Sequence, residues 1–239
     1  QSAGVVDAIT SEDIGKFPDT NLAESLQRIT GVSIDRSNGE GSKITVRGFG
    51  PEFNLVTLNN RQMPTTGGRS FDFGDIATES VSGVEVYKTA RSDIPSGGIG
   101  ATVNITTAKP LSNPGLHASI GAKAVHDTSN ETGDDVTPEL SGIYSNTFND
   151  DKFGILISGS VQERDNREQS MAVDNWIPNV DISSSPDLAL TDNNQRADGA
   201  TWYPQNAGYA FSDNSRKRTN GQLVLQYAPN DRITATVDY

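Results

Sequence analysis

The sequence predicts an α/β domain followed by the antiparallel strands of a transmembrane β-barrel, and three observations lead there. The texture of the chain changes at Pro110 and Pro114, residues of the type that punctuates a chain between ordered units. Before that point short strand and helix patterns alternate. Beyond it come patterned stretches of about 7–11 residues, the length that crosses a bilayer at a tilt. Tight turns and long polar connections also alternate along the second part, as they do at the two ends of such a barrel. The division falls between residues 1–115 and 116–239.

In the first part, residues 5–9 read as a short strand. Asp19, Thr20 and Asn21 offer N-caps to a helix with Leu22, Leu26 and Ile29 on one face, and Asn21 with Glu24 has capping-box spacing. Gly31 is placed to end it, because glycine enters the left-handed region without a Cβ penalty. Strands follow at 32–35, 44–47 and 54–58, the first two separated by a Ser/Asn/Gly loop at 37–42. A helical turn near 75–81 leads to strands at 84–87 and 101–106.

The second part offers strands at 116–126, 139–148, 153–163, 220–227 and 233–239. Phe153, Ile155, Ile157 and Val161 share one face against Ser158, Ser160 and Gln162. Leu223, Leu225 and Tyr227 oppose Gln222 and Gln226, while Ile233, Ala235, Val237 and Tyr239 oppose Thr234, Thr236 and Asp238. The 116–126 strand alternates weakly, and 139–148 has no clear phase. The turns at 149–152 and 229–231 are tight, whereas 127–138 and 164–217 read as long polar loops. Phe148, Phe153 and Tyr227 flank the tight turns, where an aromatic girdle belongs. A soluble β domain with one buried face alternates in the same way, so the pattern alone fits a soluble or surface β-rich ligand-binding module equally.

Composition narrows the function classes. The net charge is −12, from 19 basic and 31 acidic residues, which gives no electrostatic footprint for nucleic acid. With no cysteine there are no disulfides, thiolate metal sites or thiol nucleophiles. No apolar run approaches the ~18–20 residues of a membrane helix, which leaves a barrel untouched.

An ordered series of motifs adds to this reading. NLAESLQRITGVSI, ITVRGFGPEFNLVTLNN and GVEVYKTARSDIPSGGIGATVNITT, with the strands after them, resemble the plug and first barrel strands of TonB-dependent outer-membrane receptors. The likeness runs through residues 5–110 in order and leans toward a proteobacterial branch linked to glycan and other nutrient uptake. It implies a plug filling a barrel of about 22 strands, of which about five would be present here. It also implies energy-coupled import of a scarce nutrient, a glycan or an iron chelate, across a Gram-negative outer membrane, with no enzyme activity and no cofactor. The implied partners are TonB with its inner-membrane complex, outer-membrane lipid and the small-molecule ligand. The TonB-binding peptide is expected upstream of Val5, where these residues show no match to it.

The resemblance assigns Arg47 of the RGF motif, and Lys88 at the basic position of EVYK, to a lock facing barrel-wall carboxylates. Gly48 and Gly50 would let the backbone bend close to the wall. Lys88 stands where arginine is common in the family, so a point charge replaces a fork. Asn59-Asn60 stands where Asn-Gly or Asp-Gly is common at a hairpin.

Residues 61–73 would form the plug apex, where Arg61, Gln62, Arg69, Phe71 and Phe73 are candidate ligand contacts. The 164–217 loop adds Trp176, Trp202, Tyr203 and Tyr209, whose aromatic faces suit sugar rings. Other features point to no site. The run Gly97, Gly98, Ile99, Gly100 lacks phosphate-loop spacing and reads as backbone flexibility. His117 and His126, nine residues apart without a third ligand, make a poor metal site. No nucleophile elbow is visible, and the acidic stretches 131–135 and 192–198 read as solvated loops.

Overall fold

The computed structural model describes residues 4–10, 21–65, 68–76, 78, 81–180 and 201–239, with side chains for all of these but 177–180 and 201–203. The first unit is built on a mixed sheet. Its strands are β1 (Val6–Thr10), β4 (Leu55–Leu58), β5 (Arg61–Gln62), β6 (Val81–Tyr87) and β7 (Thr102–Thr107), ordered β1-β6-β7-β4-β5. β4 runs parallel to β7, and every other pair is antiparallel. A separate hairpin joins β2 (Val32–Ser37) to β3 (Glu40–Val46), and one short helix, α1 (Leu22–Leu26), packs beside it.

α1 has only five residues, too few to hold a helix by local bonds alone. Two things fix it. The Asn21 side chain accepts from the Glu24 amide at 3.3 Å and donates to the Gly41 carbonyl at 2.5 Å, so one residue caps the helix and ties it to β3. Leu22 and Leu26 are then fully buried with Ile44, Val46, Phe73, Val84, Val86, Val103 and Ile105 in one core. The expected helix through Ile29 is shorter than its pattern. After Leu26 the chain tightens into i→i+3 bonds, Arg28 to Ser25 and Ile29 to Leu26, and reaches Gly31 at φ +77°. Asp19 and Thr20 lie outside the described residues.

The expected loop at 37–42 is a tight turn at Asn38 and Gly39, both at positive φ, with β3 starting at Glu40. The Asn59-Asn60 hairpin forms with both residues left-handed, φ +50° and +64°. Asn59 also exchanges hydrogen bonds with Thr107, and the Asn60 amide donates to Asn104 Oδ1, so side-chain bonds to β7 support a turn that lacks glycine.

The second unit is an antiparallel meander of β8 (His117–His126), β9 (Val136–Phe148), β10 (Phe153–Val180), β11 (Thr201–Asn230) and β12 (Ile233–Asp238), paired in chain order. Its outward face carries Leu140, Tyr144, Phe148, Phe153, Ile157, Leu223 and Tyr227. Its inward face carries Thr137, Glu139, Ser145, Ser158, Ser160 and Gln226, buried against the first unit or one another. This resolves the phase of β9. Phe153 pairs with Phe148 on one side and Tyr227 on the other, so the three aromatics form one band beside the tight turn.

The expected long loop at 164–217 is the main departure. β10 and β11 continue as a ribbon far past the 163 and 220 limits, paired from Phe153↔Tyr227 to Val180↔Thr201. A strand of 28 residues extends about 90 Å at ~3.3 Å per residue. Polarity misled here because backbone pairing does not need apolar side chains, and a ribbon solvated on both faces gives no alternation.

Candidate functional site at the plug apex and the wall

Arg47 and Gly48 occupy a two-residue turn at the end of β3, both left-handed at φ +55° and +79°, closed by mutual Val46–Phe49 backbone bonds. Arginine in that region is strained, and the strain is retained where the surrounding contacts hold the residue. Here the guanidinium donates to the Gly100 carbonyl through Nε at 3.0 Å and Nη2 at 2.5 Å, and to the Ile99 carbonyl at 3.1 Å. Within these residues the guanidinium thus meets two backbone carbonyls of the first unit itself. The glycine run is there for close approach: a Cβ on Gly100 would stand 2.4 Å from Asn54 Oδ1 and 2.9 Å from Phe49 Cβ.

Lys88 is likewise engaged within its own unit. Its Nζ lies 2.5 Å from Asp7 Oδ2 and donates to the Thr30 carbonyl at 2.5 Å, so a point charge joins β1 to the turn after α1. Beside it, burial and a 2.7 Å hydrogen bond to Glu85 push the Tyr87 hydroxyl up to about 12, which keeps it a neutral donor.

At the apex, Gln62, Met63, Arg69 and Phe71 line a cavity of about 200 Å³ with Leu55 and Val56 behind them. Arg69 is also fixed to the Gly97 carbonyl at 3.0 Å. The two phenylalanines are largely withdrawn, and only Phe71 keeps an edge on the cavity. Phe73 is 1% exposed in the core, and Phe71 packs edge-on against it with centroids 5.1 Å apart. Burial of two rings in the core outweighs their display at the surface. Arg61 reaches the sheet instead, pairing with Asp238 of β12 at 3.1 Å.

Trp176 is half exposed on β10. Arg218, which approaches Gly74 at the end of the apex segment, pairs with Gln162. Trp176 lies 14 residues further along β10, about 45 Å away, so the structure does not bring it to the apex. The side chains of Trp202 and Tyr203 lie outside the described residues, as does the 192–198 stretch. Tyr209 packs edge-on with Phe211 on the ribbon. His117 and His126 each contact a backbone carbonyl, of Pro114 and Asp135, and no metal-ligating cluster occurs among the described residues.

Between the two units the structure shows contacts other than the expected lock. A 3₁₀ turn at Pro110–Ser112 lies on the inward face of the sheet, where a Cβ on Gly154 would be 2.8 Å from Pro110. Leu111 donates its amide to Gln226 Oε1 at 3.0 Å. Higher on the same face, Glu40 meets Arg216 and Arg164. One signal was available: extending the phase of Ser158, Ser160 and Gln162 by one step puts Arg164 on the inward face.

Comparison with known proteins agrees with this geometry. Residues 1–102 match the family model described as TonB-dependent Receptor Plug Domain. Among solved structures, a variant of the ferric enterobactin receptor PfeA from Pseudomonas aeruginosa, in complex with enterobactin, superposes with a TM-score of 0.60 at 17% identity, covering 100% of this chain and 32% of that one. The siderophore receptor PirA from Acinetobacter baumannii gives 0.56 at 18%, covering 100% and 44%. The copper transporter OprC gives 0.56 at 13%, covering 95% and 28%. The chain therefore spans less than half the length of these structures. Residues 1–102 thus match the model of the TonB-dependent receptor plug domain, and the chain as a whole shares the fold of these larger receptor structures over its own length.

Proposed function

We propose that the chain supplies the plug and five wall strands of an active transporter, not an enzyme, that imports a scarce nutrient across a Gram-negative outer membrane. The observation that carries this reading is the seating of the plug on a sheet whose outward face is apolar. Ile120 is 91% exposed and Val237 65%, positions that suit lipid and penalise a soluble module. The sheet is open, with β8 and β12 unpaired to each other, so closing a lumen requires further strands.

In this reading TonB pulls on the N-terminal region. β1 is the edge strand of the plug sheet, paired to β6 on one side and tied by the Asp7–Lys88 bridge, so a pull from its side meets that strand first. Arg47 and Lys88 would still face wall carboxylates on strands beyond these five. For the ligand, the burial of Phe73 and most of Phe71 weakens the aromatic argument for a glycan at the apex. Gln62 and Arg69 remain there, and a guanidinium beside an amide favours an anionic iron chelate, as in the siderophore receptors it resembles.

Uptake of labelled ferric chelate by cells carrying the full-length protein tests this, with and without TonB. Accumulation that vanishes without TonB is expected. TonB-dependent uptake of oligosaccharide and not of chelate would replace the substrate, and uptake indifferent to TonB would remove the mechanism.

A further inference from the structure

The inward face of the sheet, at the end away from the tight turns, gathers charge that neither the apex cavity nor the Arg47 corner uses. Glu139 is satisfied within the wall by Arg164, by Gln162 Nε2 at 2.5 Å and by Lys123 Nζ at 3.5 Å. Arg218 donates to Gln162 Oε1 at 3.4 Å and stands over Gly74, within electrostatic range of Asp72 and Asp75. That leaves Arg164 and Arg216 facing one further carboxylate, Glu40, which comes from the plug. Its Oε2 accepts from Arg216 Nη2 at 2.5 Å, while its Oε1 stands 3.8 Å from Arg164 Nε. The Nε–H groups of both arginines are buried and lack a hydrogen-bond partner among the described residues.

We propose that Arg164 and Arg216 form an oxyanion cradle in which Glu40 is a built-in occupant, and that an incoming carboxylate or phosphate displaces it and frees the β2–β3 tip from the wall. Even with Glu139 on Arg164, Glu40 meets Arg216 through one nitrogen and stands too far from Arg164 Nε to accept from it, so two planar forks that match bidentate oxygens are only partly used. Each buried donor left unmade carries a cost, so a ligand offering more oxygens gains what Glu40 cannot. The cradle is reachable, since the Arg216 side chain is 40% exposed. The tip is lightly held. Asn38 and Gly39 are both left-handed, and their tie to the wall is the Asn166 side chain donating to the Asn38 carbonyl. The release assigned here rests on the sheet being the wall of a ligand-admitting barrel.

Amide hydrogen exchange at residues 38–41 of the purified full-length protein reads the tip, and calorimetry reads anion binding. Citrate and inorganic phosphate are the probes, against sodium chloride of equal ionic strength. Citrate should speed exchange about tenfold where chloride does not, since screening alone is common to both. Glu40→Gln should show the fast exchange without added anion and bind citrate about fivefold tighter, because the competing occupant is gone. Arg216→Lys, which keeps the charge and removes the fork, should weaken citrate binding and restrain the tip only in part. A response to phosphate as well as citrate assigns the cradle to oxyanions in general; a response to citrate alone assigns it to polycarboxylates. Unchanged exchange in Glu40→Gln, or citrate affinity no tighter than in the native protein, overturns the proposal. None of these readouts needs TonB or living cells, so failed import would overturn the transport reading separately.

Discussion

The plug and the wall solve the same problem with opposite distributions of apolar surface. Every buried apolar side chain among the described residues lies in the plug, except Leu156 and Val224. The wall turns its large apolar residues outward and buries threonine, serine, glutamine and a glutamate. The plug therefore has a core of its own in the usual sense, whereas the wall sets its polar face against the plug and leaves an apolar face outward, as the proposed contact with lipid requires. A substitution should consequently fail by different physics in each region, and that difference can be measured.

The largest effect is expected in the plug core. Phe73→Ala deletes a fully buried ring that also holds Phe71, and should cost about 3–5 kcal/mol. Denaturant unfolding of the purified protein, followed by a probe in the plug, would show the plug transition move while the barrel transition stays. Coincident movement of both would mean the two units unfold as one, and the contrast drawn here would fail.

Ile157→Arg sharpens the comparison from the wall side. Ile157 points outward and is half exposed to the surroundings, so in water the change would be nearly neutral. In a bilayer the same change should cost about 2–4 kcal/mol if the site is near the midplane. Folding yields into lipid vesicles, compared with detergent, separate these cases. A variant that inserts as well as the native protein would show that this face does not meet lipid.

The same asymmetry explains what could be read from the sequence. Outward alternation along β10, β11 and β12 was legible because a strand with one face on the plug and an apolar face outward has a period of two. The ribbon beyond Glu163 was not, since water on both sides demands no pattern, and with it went the arginines of the cradle. In the plug, the Asn21 cap and the Leu22/Leu26 face were visible locally. The partner of Arg47 was not. Which carbonyls a guanidinium meets depends on a loop 52 residues away whose backbone, not its side chains, makes the contact. The burial of Phe71 and Phe73 was hidden for a related reason, because a Gly/Thr-rich neighbourhood reads as surface even where two of its rings enter the core.

The smallest effect is the most diagnostic for that corner. Arg47→Ala removes three donor contacts to the carbonyls of Ile99 and Gly100 but keeps the strained left-handed backbone. Discounted for solvent exposure, the loss should be about 1 kcal/mol. Arg47→Gly removes the same contacts and relieves the strain, returning about 1 kcal/mol. Global stability should thus separate the two variants, while exchange of the Gly100 amide, which donates to the Phe53 carbonyl, should quicken equally in both. Leakage of large antibiotics through the full-length protein should follow the exchange and not the stability, because the glycine loop and not the turn is what the guanidinium holds. Equal protection of Gly100 in all three proteins would show that Arg47 is a spectator, held at φ +55° by the turn alone.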